Sequence, residues 1–115
     1  MTPLRLVYST CASMDEACRI GRSLVEERLA ACSNAIPGMR SCYRWQGRIC
    51  DEEETVLILK TREELVEPLI ARLRALHGYQ VPCALSLAIE RGNPDYLAWL
   101  LAETGPAGGE SGAAE

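Results

Sequence analysis

The chain has 115 residues, 48% of them apolar, and a formal net charge of −4. That is enough apolar material for one compact core, which excludes global disorder and leaves no room for a second core of ordinary size. Acids and bases are interspersed, so no basic face exists to replace phosphate counterions; this argues against a nucleic-acid partner but not against a cation.

Residues 4–10 predict a first strand, short and partly β-branched, with Pro3 before it. The residues ahead of it lack the apolar stretch and small-residue cleavage site of a secretion signal, and no apolar run approaches the roughly 20 residues that span a bilayer. A cytoplasmic protein with no membrane partner is therefore expected. Ser13 or Asp15 offers an N-cap, and a helix is predicted from there to about Ala31. Its apolar arc holds Ala17, Cys18, Ile20, Leu24, Val25, Leu29 and Cys32. Residues 33–47 return to strand spacing, with Met39, Ser41, Tyr43 and Trp45 on one face. Pro37-Gly38 predicts a bend or bulge, and Gln46-Gly47-Arg48 a turn. The acidic run at residues 51–54 reads as a solvated loop, and residues 55–60 as a central strand, apolar on both faces.

Thr61-Arg62-Glu63-Glu64 has the spacing of a capping box. The helix it would open places Leu65, Val66, Leu69, Ile70, Leu73 and Leu76 on one face, with Gly78 as a left-handed terminator. Pro68 predicts either a kink or a separate first turn. Residues 82–91 predict a fourth strand in which Leu85, Leu87 and Ile89 alternate with small or polar residues. Asn93-Pro94 caps a short last helix. Composition then collapses to Gly, Ala, Glu, Ser and Pro, so residues 1–103 are read as the folded domain and 104–115 as a disordered tail.

The predicted order β-α-β-β-α-β, with a short C-terminal helix, is that of an α+β fold: a ferredoxin-like plait with an antiparallel sheet. The long helices cover one face of such a sheet. The strand at residues 55–60 has no wet face, so burial against further copies of the chain is expected. Six cysteines, at positions 11, 18, 32, 42, 50 and 83, contain no C-x-x-C pair, which removes the common zinc-ribbon, thioredoxin and iron–sulfur spacings. Most are read as reduced thiols filling apolar space, Cys18 and Cys32 among them.

Five segments in order resemble the CutA divalent-cation tolerance family. They are Leu29-Ala30-Ala31-Cys32-Ser33-Asn34; Ser41-Cys42-Tyr43-Arg44-Trp45-Gln46-Gly47-Arg48-Ile49; Glu54 with Lys60-Thr61; His77-Gly78-Tyr79-Gln80-Val81-Pro82; and Gly92-Asn93-Pro94-Asp95-Tyr96-Leu97-Ala98-Trp99. The resemblance implies a homotrimer whose hairpins pair with neighbouring chains. It also implies tolerance of divalent cations, copper above all, and an analogy to the PII signalling trimers. It further implies an inter-subunit pocket holding Trp45, Glu54, Lys60, His77 and Tyr79. Gly78 stands where the family carries proline, and the family's strand-end cysteine aligns with Ser9 rather than Cys11.

His77, the single histidine, is either a structural group at a helix end or, as the resemblance implies, a metal position. Copper(I) favours thiolate and imidazole, so Cys83 and Cys11 join it as candidate ligands, with Glu54 as a carboxylate donor. Glu54 and Lys60 share one strand face and need partners in apolar surroundings. Tyr43, Trp45 and Trp99 read as packing anchors at subunit contacts. The leading expectation is a non-enzymatic trimer that binds copper or another divalent or soft metal ion. The alternative is a PII-like trimer holding a small anionic ligand through Lys60, the only lysine, although no Walker-type phosphate loop is present. An acylphosphatase would need an arginine in the loop after the first strand, and residues 9–14 have none.

Overall fold

A computed structural model describes residues 2–106 of the chain. Four strands, β1 (Leu4–Cys11), β2 (Cys32–Trp45), β3 (Arg48–Arg62) and β4 (Leu85–Ala88), form one sheet in the order β2-β3-β1-β4, every pair antiparallel. Helices α1 (Met14–Glu26), α2 (Val66–Leu76) and α3 (Pro94–Ala102) complete the α+β ferredoxin-like plait expected from the sequence. The molecule measures 50 × 26 × 23 Å with a radius of gyration of 15.1 Å. A compact chain of this length would have about 13 Å. The excess reflects the long β2–β3 hairpin, whose distal strands are largely exposed.

The main core lies between the sheet and the two long helices. Val7, Cys11, Leu57 and Leu59 of the sheet meet Ala17, Ile20 and Leu24 of α1 and Leu69 and Leu73 of α2, all with no exposed surface. A smaller cluster joins Leu4, Ala31 and Leu100, so α3 closes one end of the domain. Lys60 lies on the face of β3 opposite Leu57 and Leu59, and its Nζ reaches the Tyr96 hydroxyl of α3 at 3.1 Å. Farther from α3 that opposite face lies open. Leu85 and Leu87, opposite Tyr8 and Leu6 in the ladder, are 59% and 50% exposed, and Ile36, opposite Val56, is 49% exposed.

Several local expectations are met. Gln46 and Gly47 both take positive φ in a two-residue turn, the backbone that lets a hairpin keep its twist. The ladder slips between Ile36 and Met39, where Gly38 has φ 84°. Asn93 accepts the Asp95 N–H, with Pro94 opening α3.

Others are corrected. Helix α1 ends at Glu26, five residues before its predicted end, because Arg28 turns left-handed at φ 61° and sends the chain back toward the sheet. Cys32 is thus the first residue of β2, and Cys18 is exposed because the buried arc narrows to Ala17, Ile20, Gly21 and Leu24. The acidic run is strand: Asp51 pairs with Arg40 at 3.0 Å and Glu52 accepts the Tyr43 hydroxyl. Thr61 is no cap; it belongs to β3 and donates to the Leu29 carbonyl at 2.7 Å. A separate 3-10 turn, Glu63–Leu65, precedes α2. Pro68 then falls in the first turn of α2, where backbone N–H groups have no intrahelical partner to lose. Gly78 does not adopt positive φ.

Of the segment read as a tail, Thr104 is buried and Gly105 is bonded. Arg62 donates to the Thr104 hydroxyl at 2.9 Å and to its carbonyl at 2.8 Å, while the Gly105 N–H reaches the Arg28 carbonyl at 3.0 Å. Residues 107–115 lie outside the described residues.

Candidate functional site

Two groups of polar side chains meet where the end of β1, the start of α1 and the loop after α2 converge, with Tyr79 between them. The first is centred on His77, the C-cap of α2, whose extended backbone turns its ring inward. Its Nε2–H donates to the Thr10 carbonyl at 2.8 Å, and its Nδ1 accepts the Tyr79 N–H at 3.0 Å. A carbonyl can only accept and a backbone N–H can only donate, so these bonds select the neutral Nε2–H tautomer.

Glu16 stands beside it. Ser13 caps α1 by accepting the Glu16 N–H at 3.1 Å, and the Glu16 carboxylate reaches back to the Ala12 N–H at 3.1 Å. Its other oxygen accepts the Gly78 N–H at 2.7 Å and lies 3.8 Å from His77 Nδ1. A Cβ on residue 78 would sit 2.8 Å from that oxygen, and a proline there would have no N–H to donate. Cys11 completes the group: its sulfur, a Glu16 oxygen and a His77 nitrogen all lie within 4.8 Å of one another. Burial, followed by the charges of Glu16 and Glu54, pushes the Cys11 thiol up to about 12.

On the other side of Tyr79 opens a cavity of about 720 Å³. Glu54, only 6% exposed, forms part of its wall, accepting the Ser41 hydroxyl at 2.6 Å and the Tyr79 hydroxyl at 2.7 Å. Trp45, Tyr43, Val81 and Cys83 are among the other residues that line it. Tyr79 also packs its ring on His77 with centroids 4.8 Å apart. Burial and then the bond to Glu54 hold its phenol well above the ordinary range. Burial likewise raises the Cys83 thiol, with Glu54 adding to it.

The predicted site residues thus divide. Trp45, Glu54 and Tyr79 share the cavity with Cys83, whereas Cys11 and His77 do not line it and group with Glu16. Lys60 joins neither group. Six residues of extended strand put it about 20 Å from Glu54 on the same face, where it sits 5.3 Å from the Tyr96 ring centroid. The residue reading missed Glu16, Ser41 and Tyr96. Glu16 was legible, because Ser13-x-x-Glu16 has capping-box spacing directly after the first strand. Nothing local marks Ser41 or Tyr96, whose partners lie 13 and 36 residues away.

Residues 5–103 match the sequence signature of a family described as CutA1 divalent ion tolerance protein. Among individual relatives, a divalent-cation tolerance protein CutA of Thermus thermophilus is 45% identical over 100 residues, 87% of this chain and 97% of that one. The chloroplastic protein CutA of Arabidopsis thaliana is 41% identical over 98 residues, 85% of this chain but only 54% of the plant protein, so the chain spans about half of that relative. The crystal structure of CutA from Xylella fastidiosa superposes with a TM-score of 0.88 at 42% identity, covering 90% of this chain and all of that one.

Proposed function

The chain belongs to the CutA1 divalent ion tolerance family, and from that premise we propose that it is a non-enzymatic homotrimer that binds a divalent or soft metal ion, copper foremost, at Cys11, Glu16 and His77. The observation that carries this reading is the convergence of a thiol, a carboxylate and an imidazole within 4.8 Å. Sulfur and nitrogen donors suit copper and zinc, and the carboxylate offsets part of the ion's charge. A metal ion here would take the place of the Cys11 proton, which burial otherwise holds in place. His77 would offer Nδ1, the nitrogen facing Glu16, in exchange for its bond to the Tyr79 N–H.

The trimer reading rests on the open sheet face, where Leu85, Leu87 and Ile36 form an apolar surface that a lone chain would leave wet. The non-enzymatic reading is supported by the family description, which names ion tolerance and no reaction. A reducing, cytoplasmic compartment is supported by six cysteines that are all unpaired. The PII-like alternative has less in its favour, because Lys60 is held by Tyr96 and the cavity buries a carboxylate.

Competitive copper(I) titration tests the site. Cys11→Ser and His77→Ala should each lose at least about tenfold in affinity, while Cys83→Ser should bind as the wild type does. Equal affinities across the three variants would refute the assignment. Sedimentation showing a stable monomer at micromolar concentration would refute the trimer.

A further inference from the structure

Tyr79 is bonded at both ends. Its backbone N–H donates to His77 Nδ1 at 3.0 Å, and its hydroxyl donates to Glu54 at 2.7 Å. The first bond takes the only lone pair that the neutral His77 ring has to offer, because Nε2 carries its proton toward the Thr10 carbonyl at 2.8 Å. One lone pair serves one partner, an N–H or a metal ion. Resting on the metal reading given above, we propose that Tyr79 is a latch on that site: it must leave Nδ1 before His77 can take an ion, and in leaving it releases Glu54.

Three features confine the exchange to Tyr79. His77 keeps its bond from Nε2 to the Thr10 carbonyl, and a backbone carbonyl in that position is the usual outer partner that orients a ligating imidazole. Glu16 has lone pairs to spare. One of its oxygens holds the Ala12 N–H at 3.1 Å and the other the Gly78 N–H at 2.7 Å, each using one pair of two. Gly78 can thus stay bonded while the next residue moves. The joint between the held and the released N–H is residue 78 itself, a glycine, whose backbone turns with little steric resistance.

The consequence is felt at the other end of the same residue. A hydroxyl bond of 2.7 Å is gone once its partners part by about 1 Å, and the Tyr79 nitrogen has to clear an ion's width at Nδ1. Glu54, 6% exposed, would then keep only the Ser41 hydroxyl at 2.6 Å. Glu54 stands opposite Met39, where the β2–β3 ladder resumes beyond its bulge, so occupancy of the buried donors registers in the hairpin. Such a coupling is reciprocal. Whatever holds Tyr79 on Glu54 weakens metal binding, and whatever frees Tyr79 strengthens it.

The test uses the full chain and copper(I), a diamagnetic ion that leaves nearby NMR signals visible. With copper(I) bound, the Tyr79 amide should exchange with solvent at least about tenfold faster, having lost its acceptor, while the Gly78 amide keeps its protection. The imidazole nitrogen signals should show coordination at Nδ1 with the proton still on Nε2. Tyr79→Phe removes the hydroxyl bond and keeps the N–H, so it should bind copper(I) about tenfold more tightly than the wild type, the equivalent of one hydrogen bond to a charged group. A residue that merely supported the site would weaken binding when altered. The amide and imidazole measurements are made on the wild type, so they stand even where Tyr79→Phe folds poorly. Copper(I) bound with the Tyr79 amide still protected, with coordination at Nε2, or with no gain in Tyr79→Phe would overturn the latch and leave the metal reading intact. No copper(I) binding by either protein would overturn both.

Discussion

Tyr79→Phe removes one hydroxyl and leaves nearly everything else in place. The ring keeps its packing on His77, with centroids 4.8 Å apart, and the backbone N–H keeps its bond to Nδ1. What is lost is a 2.7 Å bond to a carboxylate that is 6% exposed and retains only Ser41 as a donor. Hydrogen bonds to buried charged groups contribute about 1.5–3 kcal/mol, so a destabilisation of about 2 kcal/mol is expected. For a domain of this size that corresponds to a fall in melting temperature of about 10 °C. In a Glu54→Gln background the partner is neutral, and the same substitution should cost only about 1 kcal/mol. The cycle should therefore show a coupling of about 1 kcal/mol. Urea unfolding at fixed protein concentration measures all four proteins, with an unchanged slope as the sign that only stability has moved. A cost below about 0.5 kcal/mol, or the same cost in both backgrounds, would refute the buried charge–hydroxyl bond as the element holding Glu54.

Two further outcomes are expected. Truncation after Glu103 removes the buried Thr104 and its bonds to Arg62, so it should lower stability by about 2 kcal/mol, read as a fall in the urea midpoint. The second concerns alkali. Tyr43 is pushed up to about 12, chiefly by its bond to Glu52, and Tyr79 is raised by burial and by Glu54. Both phenols ionise later folded than unfolded, so the stability they contribute is complete below about pH 10 and is lost as pH rises through the folded values. Absorbance at 295 nm should keep rising beyond pH 11, and Tyr79→Phe should remove the latest component. A wild-type titration complete by pH 11 would contradict both assignments.

Much of the plait could be read from residue pattern because its signals are local. Pro37-Gly38 spelled the bulge, Gln46-Gly47 the hairpin turn and Asn93-Pro94 the start of α3. Capping shows the boundary of such reading. Thr61-x-x-Glu64 and Ser13-x-x-Glu16 have the same spacing, yet only the second is a cap, because Thr61 is still held in the ladder by Arg5 across the sheet. Glycine shows it too. Gly78 reads as a helix terminator, but the structure uses its missing side chain to admit a Glu16 oxygen from a helix 62 residues earlier.

The sequence by itself determined the order of strands and helices and the apolar surplus of the sheet, because both follow from periods of two and 3.6 residues along the chain. The tertiary structure alone decided which functional side chains meet. Glu54 and Lys60 share a strand face in any reading, yet extended backbone carries them apart to different partners. Cys11, Glu16 and His77 are brought together only when the end of β1, the start of α1 and the end of α2 pack around one point. Tyr79 then divides that buried group from the open cavity, a separation set by where one ring is packed and bonded.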